Sequence, residues 1–388
     1  MTDTCMSVIW ICVVRRTYTV CCHTKPRRTM SEVNTDKGLP ATYLKDFHVE
    51  ESVRKMKYNG LGSTDMVVSK LSYGAAALGS VFRDTDDAEG LKVVEYVVKH
   101  GVNYIDVAPW YGHGKAEKVL GRALQTIPRS SYFISTKVGR YLPEIDQMFD
   151  FRAERTIRSV DESLTRLGLE SVDLVQAHDI EFADNIDIII NETLPALQKV
   201  KESGKARYIG ITGYPTKLLK DVLDRSTIKV DTVLSYCRAC MHDNSLLDYL
   251  PFFEKSGTGV INASPVSMGL LTDRGPPDWH PAPDNIKRSC AEASGYCREI
   301  GVDLSRLALS YSLELPLPTT LFSSASLKNA KKNLDSVFVP LTEMECNAKE
   351  DIMKRYMRPL DNRNWEVVEV EKYRALLRGE NATATKLG

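Results

Sequence analysis

An excess of charge of either sign is missing from this 388-residue chain. Lys plus Arg total 51 and Asp plus Glu total 51. Without a basic surplus to neutralise phosphates, a dedicated nucleic-acid binder is not expected. Long apolar runs are missing too. The longest, Val8 to Val14, falls far short of the ~18 residues a membrane span requires. It resembles the centre of a signal peptide, but Asp3 precedes it and no positive segment does, so neither a membrane span nor a secretory signal is expected. An even, close-spaced cysteine framework is also lacking. There are nine Cys, four of them early (Cys5, Cys12, Cys21, Cys22). Cys237 and Cys240 form a C-x-x-C, but Cys290 and Cys297 lack the spacing of a second zinc half-site. Reduced thiols, no metal and a cytoplasmic location follow as expectations, with the sequons at Asn191 and Asn381 unused.

What is present is an ordinary globular composition, 43% hydrophobic and 26% charged, which provides for a large core. Length alone allows two or three domains, although one α/β barrel can occupy ~250 residues or more. Residues 1–30 mix Cys, Arg and Thr without a period, and residues 1–54 read as a partly disordered N-terminal extension. Lys55–Tyr58 and Val67–Lys70 flank a Gly-rich turn and predict a hairpin. Eight strand candidates then alternate with amphipathic segments: Leu71–Gly74, Tyr104–Asp106, Phe133–Lys137, Val172–His178, Tyr208–Thr212, Thr232–Ser235, Gly259–Ala263 and Thr319–Phe322. Helices are predicted over Asp86–Lys99, Arg152–Leu167, Leu194–Glu202 and Leu246–Lys255, the second closed by Gly168. This alternation predicts a (β/α)8 TIM barrel over 55–358, with the hairpin closing its base and a tail over 359–388. The alternative is a doubly wound open sheet, but no G-x-G-x-x-G follows the first strand.

In a barrel the chemistry sits at the C-terminal strand ends. Asp106, Lys137 and His178 end three successive strands, and Tyr111 follows Asp106 by five residues. Singly, each has a structural explanation: a helix cap, a solvated Lys, a packing Tyr, a core His. Jointly, they point to a shared mouth. A tyrosine hydroxyl titrates near ~10. A Lys ammonium beside it favours the phenolate, and Asp106 holds the Lys charged. Tyr111 then suits general acid/base work on a carbonyl–alcohol pair, with His178 orienting the substrate oxygen. The hydride must come from a cofactor.

Asn103-Tyr104-Ile105-Asp106-x-Ala108-x-x-Tyr111-Gly112, followed by Lys137 and His178, resembles the aldo-keto reductase family from about Lys55 to Asp335. Thr136–Tyr141, His178–Phe182 and Leu234–Cys237 are similar to the L-galactose dehydrogenase-like branch, which oxidises aldoses at C1. The resemblance implies Tyr111 as acid/base, Lys137 and Asp106 as its tuners and His178 as substrate positioner. It implies NADPH or NADH, bound without a Rossmann fold through Thr212, Ser264, Pro265, Met268, Gly269, Leu270, Ser323, Ser324 and Ser326. Three serine hydroxyls at a helix N-terminus suit an anion. Ala263 stands where many members carry an aromatic residue. The Lys328, Lys331 and Lys332 cluster leaves the choice between NAD and NADP open. Trp110, Arg140, Tyr141, Tyr236 and Cys237 are expected to wall the substrate pocket. The partner is then a small carbonyl compound or sugar, acted on by a monomer. The alternatives are a nicotinamide-binding regulatory subunit resembling potassium-channel β-subunits, or a barrel aldolase using Lys137 in a Schiff base.

Overall fold

Two short antiparallel strands come first, β1 (Tyr58–Gly60) and β2 (Val67–Ser69), with Asn59 opposite Val68. Eight parallel strands follow: β3 (Leu71–Gly74), β4 (Tyr104–Asp106), β5 (Phe133–Val138), β6 (Val172–Ala177), β7 (Ala206–Thr212), β8 (Thr232–Tyr236), β9 (Gly259–Ala263) and β10 (Thr319–Phe322). They close into a barrel in sequence order, with β10 pairing β3 at Leu321 opposite Ser72. The expected strand ends agree to within one or two residues. This computed structural model describes residues 38–380, all within one compact unit, 33–388. The run Val8 to Val14, the four early cysteines and Asn381 lie outside the described residues.

The helices are α1 (Glu50–Lys55), α2 (Asp87–Lys99), α3 (Lys115–Leu124), α4 (Ala153–Leu167), α5 (Ile186–Ile188), α6 (Leu194–Glu202), α7 (Thr216–Arg225), α8 (Leu250–Ser256), α9 (Asp284–Glu299), α10 (Leu304–Glu314), α11 (Leu327–Phe338), α12 (Glu343–Ile352) and α13 (Val368–Leu377). Local chemistry explains their ends. The Asp86 carboxylate accepts from the Ala88 N–H at 2.8 Å and starts α2. Gly168, at φ 67°, stops α4 in the left-handed region. The apolar stripe of α2, Val93, Val94, Val97 and Val98, is fully buried in the main core.

Three sequence expectations are corrected. The hairpin strand begins at Tyr58, because Lys55 closes α1, where i,i+4 pairs join Glu50 to Arg54 and Glu51 to Lys55. The expected domain boundary at residue 54 therefore falls inside a helix, and Thr42 already accepts a bond from Asn103 Nδ2 at 3.0 Å. The segment expected to run helically over Leu246–Lys255 is tighter at Ser245–Tyr249 and α-helical from Leu250. The third lies beyond residue 358. Trp365 is buried with its ring stacked 4.9 Å from Tyr214, and Tyr373 on α13 packs 5.1 Å from Phe149. The segment expected as an unassigned tail is thus built into the mouth of the barrel.

The base is closed by Leu61, Met66 and Val68, which pack under Tyr104, Leu174, Leu234 and Ile261. Gly62 makes this seal close. It sits at φ +58°, and a Cβ there would lie 2.2 Å from the Gly259 nitrogen. With the base filled, the open end is the C-terminal mouth.

Candidate active site

A cavity of about 610 Å³ opens at that mouth, and Asp106, Tyr111, Lys137 and His178 all line it. Each is delivered by backbone register. Asp106 lies opposite Ser135 across β4–β5, and Lys137 lies opposite Gln176 across β5–β6. Tyr111 hangs on the loop after β4, which is pinned by a backbone contact. A Cβ at Gly112, φ +64°, would sit 2.2 Å from the Gly79 oxygen, so only glycine fits.

Lys137 is 1% exposed and Asp106 2%, and the two form an ion pair. The ammonium also donates to the Val107 carbonyl at 3.1 Å and lies 3.4 Å from the Tyr111 hydroxyl. The other Asp106 oxygen accepts from Ser135 Oγ at 2.7 Å and Gln176 Nε2 at 2.8 Å. A buried charge pair is tolerable only when its remaining valences are met in this way. Burial works against the Lys137 charge, but Asp106 and Tyr111 outweigh it and its pKa rises. For Tyr111 burial is the larger effect. It pushes the hydroxyl above its ordinary value although Lys137 pulls it down. The expected net lowering of that pKa is therefore corrected: desolvation wins. The Asp106 pair also keeps Lys137 protonated, which is the wrong state for a Schiff-base nucleophile.

His178 faces Tyr111 with ring centroids 5.8 Å apart and planes nearly perpendicular. Burial, with Lys137 and Arg140 adding to it against the pull of Asp179, lowers its pKa to about 3. The ring is neutral at physiological pH, and Nδ1 is buried without a protein partner. Asp179, next in the chain, holds Arg140 at 2.8 Å, and the Arg140 guanidinium lies 4.0 Å over the Trp110 ring.

The remaining sequence-derived residues divide. Thr212, Ser264, Pro265, Met268, Gly269, Ser323 and Ser324 line the cavity, as do Trp110, Arg140 and Tyr236. Leu270 is buried in the apolar cluster behind the loop, and Ser326 is not among the lining residues. The serine hydroxyls are partly committed. Ser323 Oγ accepts from the Ala77 N–H at 3.0 Å, Ser324 Oγ closes a turn with Ser326, and the first α11 N–H goes to Glu89 at 2.8 Å. Tyr141 is buried, with its hydroxyl accepting from the Gly139 N–H at 2.8 Å. Cys237 is fully buried at φ 58°, a backbone turn after β8 with its thiol raised by burial. Both were expected in the pocket wall, and both shape the loops behind it.

Sequence reasoning missed Asp179, Gln176, Arg274, Asn329, Asn333 and Glu369. Gln176 alternates inward from Lys137's neighbour strand and was legible from strand period; the others carry no local signal. The lysine cluster resolves into one cavity residue, Lys332, while Lys331 lies 5.4 Å over the Tyr96 ring. Among the described residues there is no His, Cys, Asp and Glu group that fits a metal, and no helix is long and apolar enough to cross a membrane.

The sequence matches the aldo/keto reductase family over residues 70–354. The chain belongs to that family. It is 40% identical over 319 residues to L-galactose dehydrogenase of Arabidopsis thaliana, covering 80% of this chain and 97% of the relative. It is 31% identical over 319 residues to D-arabinose 1-dehydrogenase of Saccharomyces cerevisiae, covering 77% and 93%. Among solved structures, the holo form of an aldo-keto reductase from Bacillus halodurans superposes with a TM-score of 0.60 at 27% identity, over 76% of this chain and 96% of that one. As an aldo/keto reductase the chain is an oxidoreductase of carbonyl–alcohol pairs that uses NADH or NADPH.

The residues present fit such a cofactor. Three mouth loops, after β6, β8 and β9, turn in the left-handed region at Asp179, Cys237 and Ser264, and Met268 does the same at φ 50°. Such strain costs about 1–3 kcal/mol per residue and concentrates at binding sites. Gly269, φ +105°, would bring a Cβ to 3.0 Å from the Gly275 oxygen, so this loop packs closely only with glycine, and its N–H is bonded within the loop to the Val266 carbonyl at 3.1 Å. Arg274, Lys332 and the amides of Asn329 and Asn333 face the same cavity. Ala263 pairs in register with Tyr236, which supplies a ring to the wall beside it.

Proposed function

We propose that the chain is an aldose 1-dehydrogenase in which Tyr111 is the proton-transferring residue. The observation that carries this is the Tyr111 hydroxyl 3.4 Å from an ammonium that is itself paired with Asp106, facing neutral His178 across the cavity. A nicotinamide held in this cavity would supply the hydride acceptor for oxidation at C1 of the sugar and the hydride donor for the reverse reaction. In oxidation Tyr111 takes the proton of the C1 hydroxyl, and in reduction it gives that proton back. Lys137 stabilises the phenolate that forms, and Asp106 keeps Lys137 charged and fixed. His178 presents Nδ1 to the substrate oxygen. As a neutral ring it serves as a hydrogen-bond partner and leaves proton transfer to Tyr111. Thr212, Ser264, Pro265, Met268, Gly269, Ser323 and Ser324 hold the cofactor, and Trp110, Arg140 and Tyr236 bound the sugar. The relatives named for L-galactose and D-arabinose support the aldose class. The buried free thiols Cys237, Cys240, Cys290 and Cys297 support a cytoplasmic location.

The test is a fluorescence titration with NADH and NADPH, followed by a screen of aldoses and simple carbonyls with the cofactor that binds. Turnover of aldoses that vanishes in Tyr111→Phe, with cofactor binding kept, supports the reading. Tight cofactor binding with negligible turnover across the panel would support the regulatory-subunit alternative instead.

A further inference from the structure

We propose that Glu369 is a specificity-determining residue, an acceptor for hydroxyl groups of an uncharged substrate and a barrier to substrates that carry a carboxylate. This rests on the aldose reading above.

Glu369 stands on α13, beyond the residues 70–354 that match the family, yet it lines the same cavity as Tyr111, His178 and Trp110. It arrives there because the chain before it is anchored. Trp365 fills a socket between Tyr214, at 4.9 Å, and His280, at 5.0 Å, and Glu366 pairs with the buried Arg238 at 2.7 Å. One turn further, Tyr373 packs 5.6 Å from Phe182. The helix is thus anchored just before its start and at its middle, with Glu369 between.

The charge arithmetic of this wall is one-sided. Arg140 is the guanidinium that faces Glu369, and Asp179 already takes it at 2.8 Å while Trp110 covers its face. Lys137 is taken by Asp106. Around Glu369 stand Arg140 from the end of β5, Asp179 and Glu181 after β6, Tyr236 on β8 and Lys372 on its own helix. Of this group, Asp179, Glu369 and the committed Arg140 line the cavity together with Tyr236, which leaves one carboxyl group in excess on this wall. A substrate carboxylate brought here would meet like charge in a poorly screened site. A hydroxyl would find an acceptor. The wall also holds a polar atom that the protein leaves unmet, His178 Nδ1, on a side chain 7% exposed that lines the cavity. Burial raises Glu369 to about 7. The barrier to anions is therefore expected to strengthen as pH rises through neutrality and the carboxyl loses its proton.

The experiment compares L-galactose with L-galacturonate, a pair that differs only at C6, in the full-length protein and in Glu369→Gln. Steady-state kcat and KM are measured from pH 6 to 8.5, and binding of each sugar to the cofactor-loaded protein is measured by calorimetry. The expected result is that Glu369→Gln raises the galacturonate-to-galactose ratio of kcat/KM tenfold or more at pH 8, chiefly through KM. The pH dependence of that ratio should flatten, cofactor affinity should stay unchanged, and Glu369→Asp should restore discrimination. A ratio that stays within twofold of wild type in both kinetics and binding overturns the proposal. If wild type binds cofactor but turns over neither sugar, the catalytic reading fails, and the calorimetric ratio still decides for or against Glu369.

Discussion

The two ends of the barrel bury charge in opposite ways. At the base, the Asp173 carboxylate accepts from Arg129 at 2.7 Å, from Arg207 at 3.0 Å and from the Ile134 N–H at 2.9 Å. Asp231 accepts from Lys201 at 3.1 Å and the Ile209 N–H at 3.1 Å. Above these groups the hairpin side chains fill the barrel. At the mouth the same kinds of residue surround empty volume, and His178 Nδ1, on a side chain that lines it, has no protein partner. Buried polar groups are nearly always bonded, so an exception that lines a cavity marks a place for a ligand. The two base carboxylates are satisfied by the protein, whereas the polar lining of the mouth faces a cavity that a ligand can fill.

The sharpest way to break this comparison is Lys137→Met. It leaves Asp106 buried without its cation, so we expect a loss of about 3–5 kcal/mol in urea unfolding together with loss of turnover. A stable Lys137→Met protein would mean that the mouth is no more tightly coupled than a surface. Tyr111→Phe removes the proton carrier and should lower kcat by about 100-fold, with cofactor titration and urea midpoint unchanged. At the base, Asp173→Ala strands the buried Ile134 N–H and should cost about 1–3 kcal/mol of stability. Its kcat should equal that of wild type, and a drop in kcat would show that the two ends are not separable. The smallest effect is in the pH profile. Because burial raises Tyr111 above its ordinary value, kcat for alcohol oxidation should climb steadily from pH 7 to 9, as the phenolate fraction grows. Carbonyl reduction should not climb with it. Because His178 is lowered to about 3, no break should appear near 6.5.

The strands were legible because each is a short apolar run bounded by Gly, Asp or Lys, and a parallel strand buried on both faces needs that composition. The eight-fold alternation then leaves little choice of architecture. The reactive cluster was legible for the same reason: Asp106, Lys137 and His178 stand where strands end, and consecutive strands are neighbours. Tyr141 and Cys237 were misjudged because proximity along the chain to a strand end does not decide which way a loop turns. At Cys237 a left-handed backbone at φ 58° carries the side chain away from the cavity.

What the sequence determined by itself is the barrel, its sealed base and the identity of the four groups at its mouth, since all of these follow from local periodicity and strand order. The sign of the net shift on Tyr111 was decided by tertiary structure, because desolvation depends on what is packed around a group and exceeds the pull of one lysine. Glu369 entered the site the same way. It lies 191 positions after His178 with no motif to mark it, and it reaches the cavity only because Trp365 and Tyr373 find their sockets.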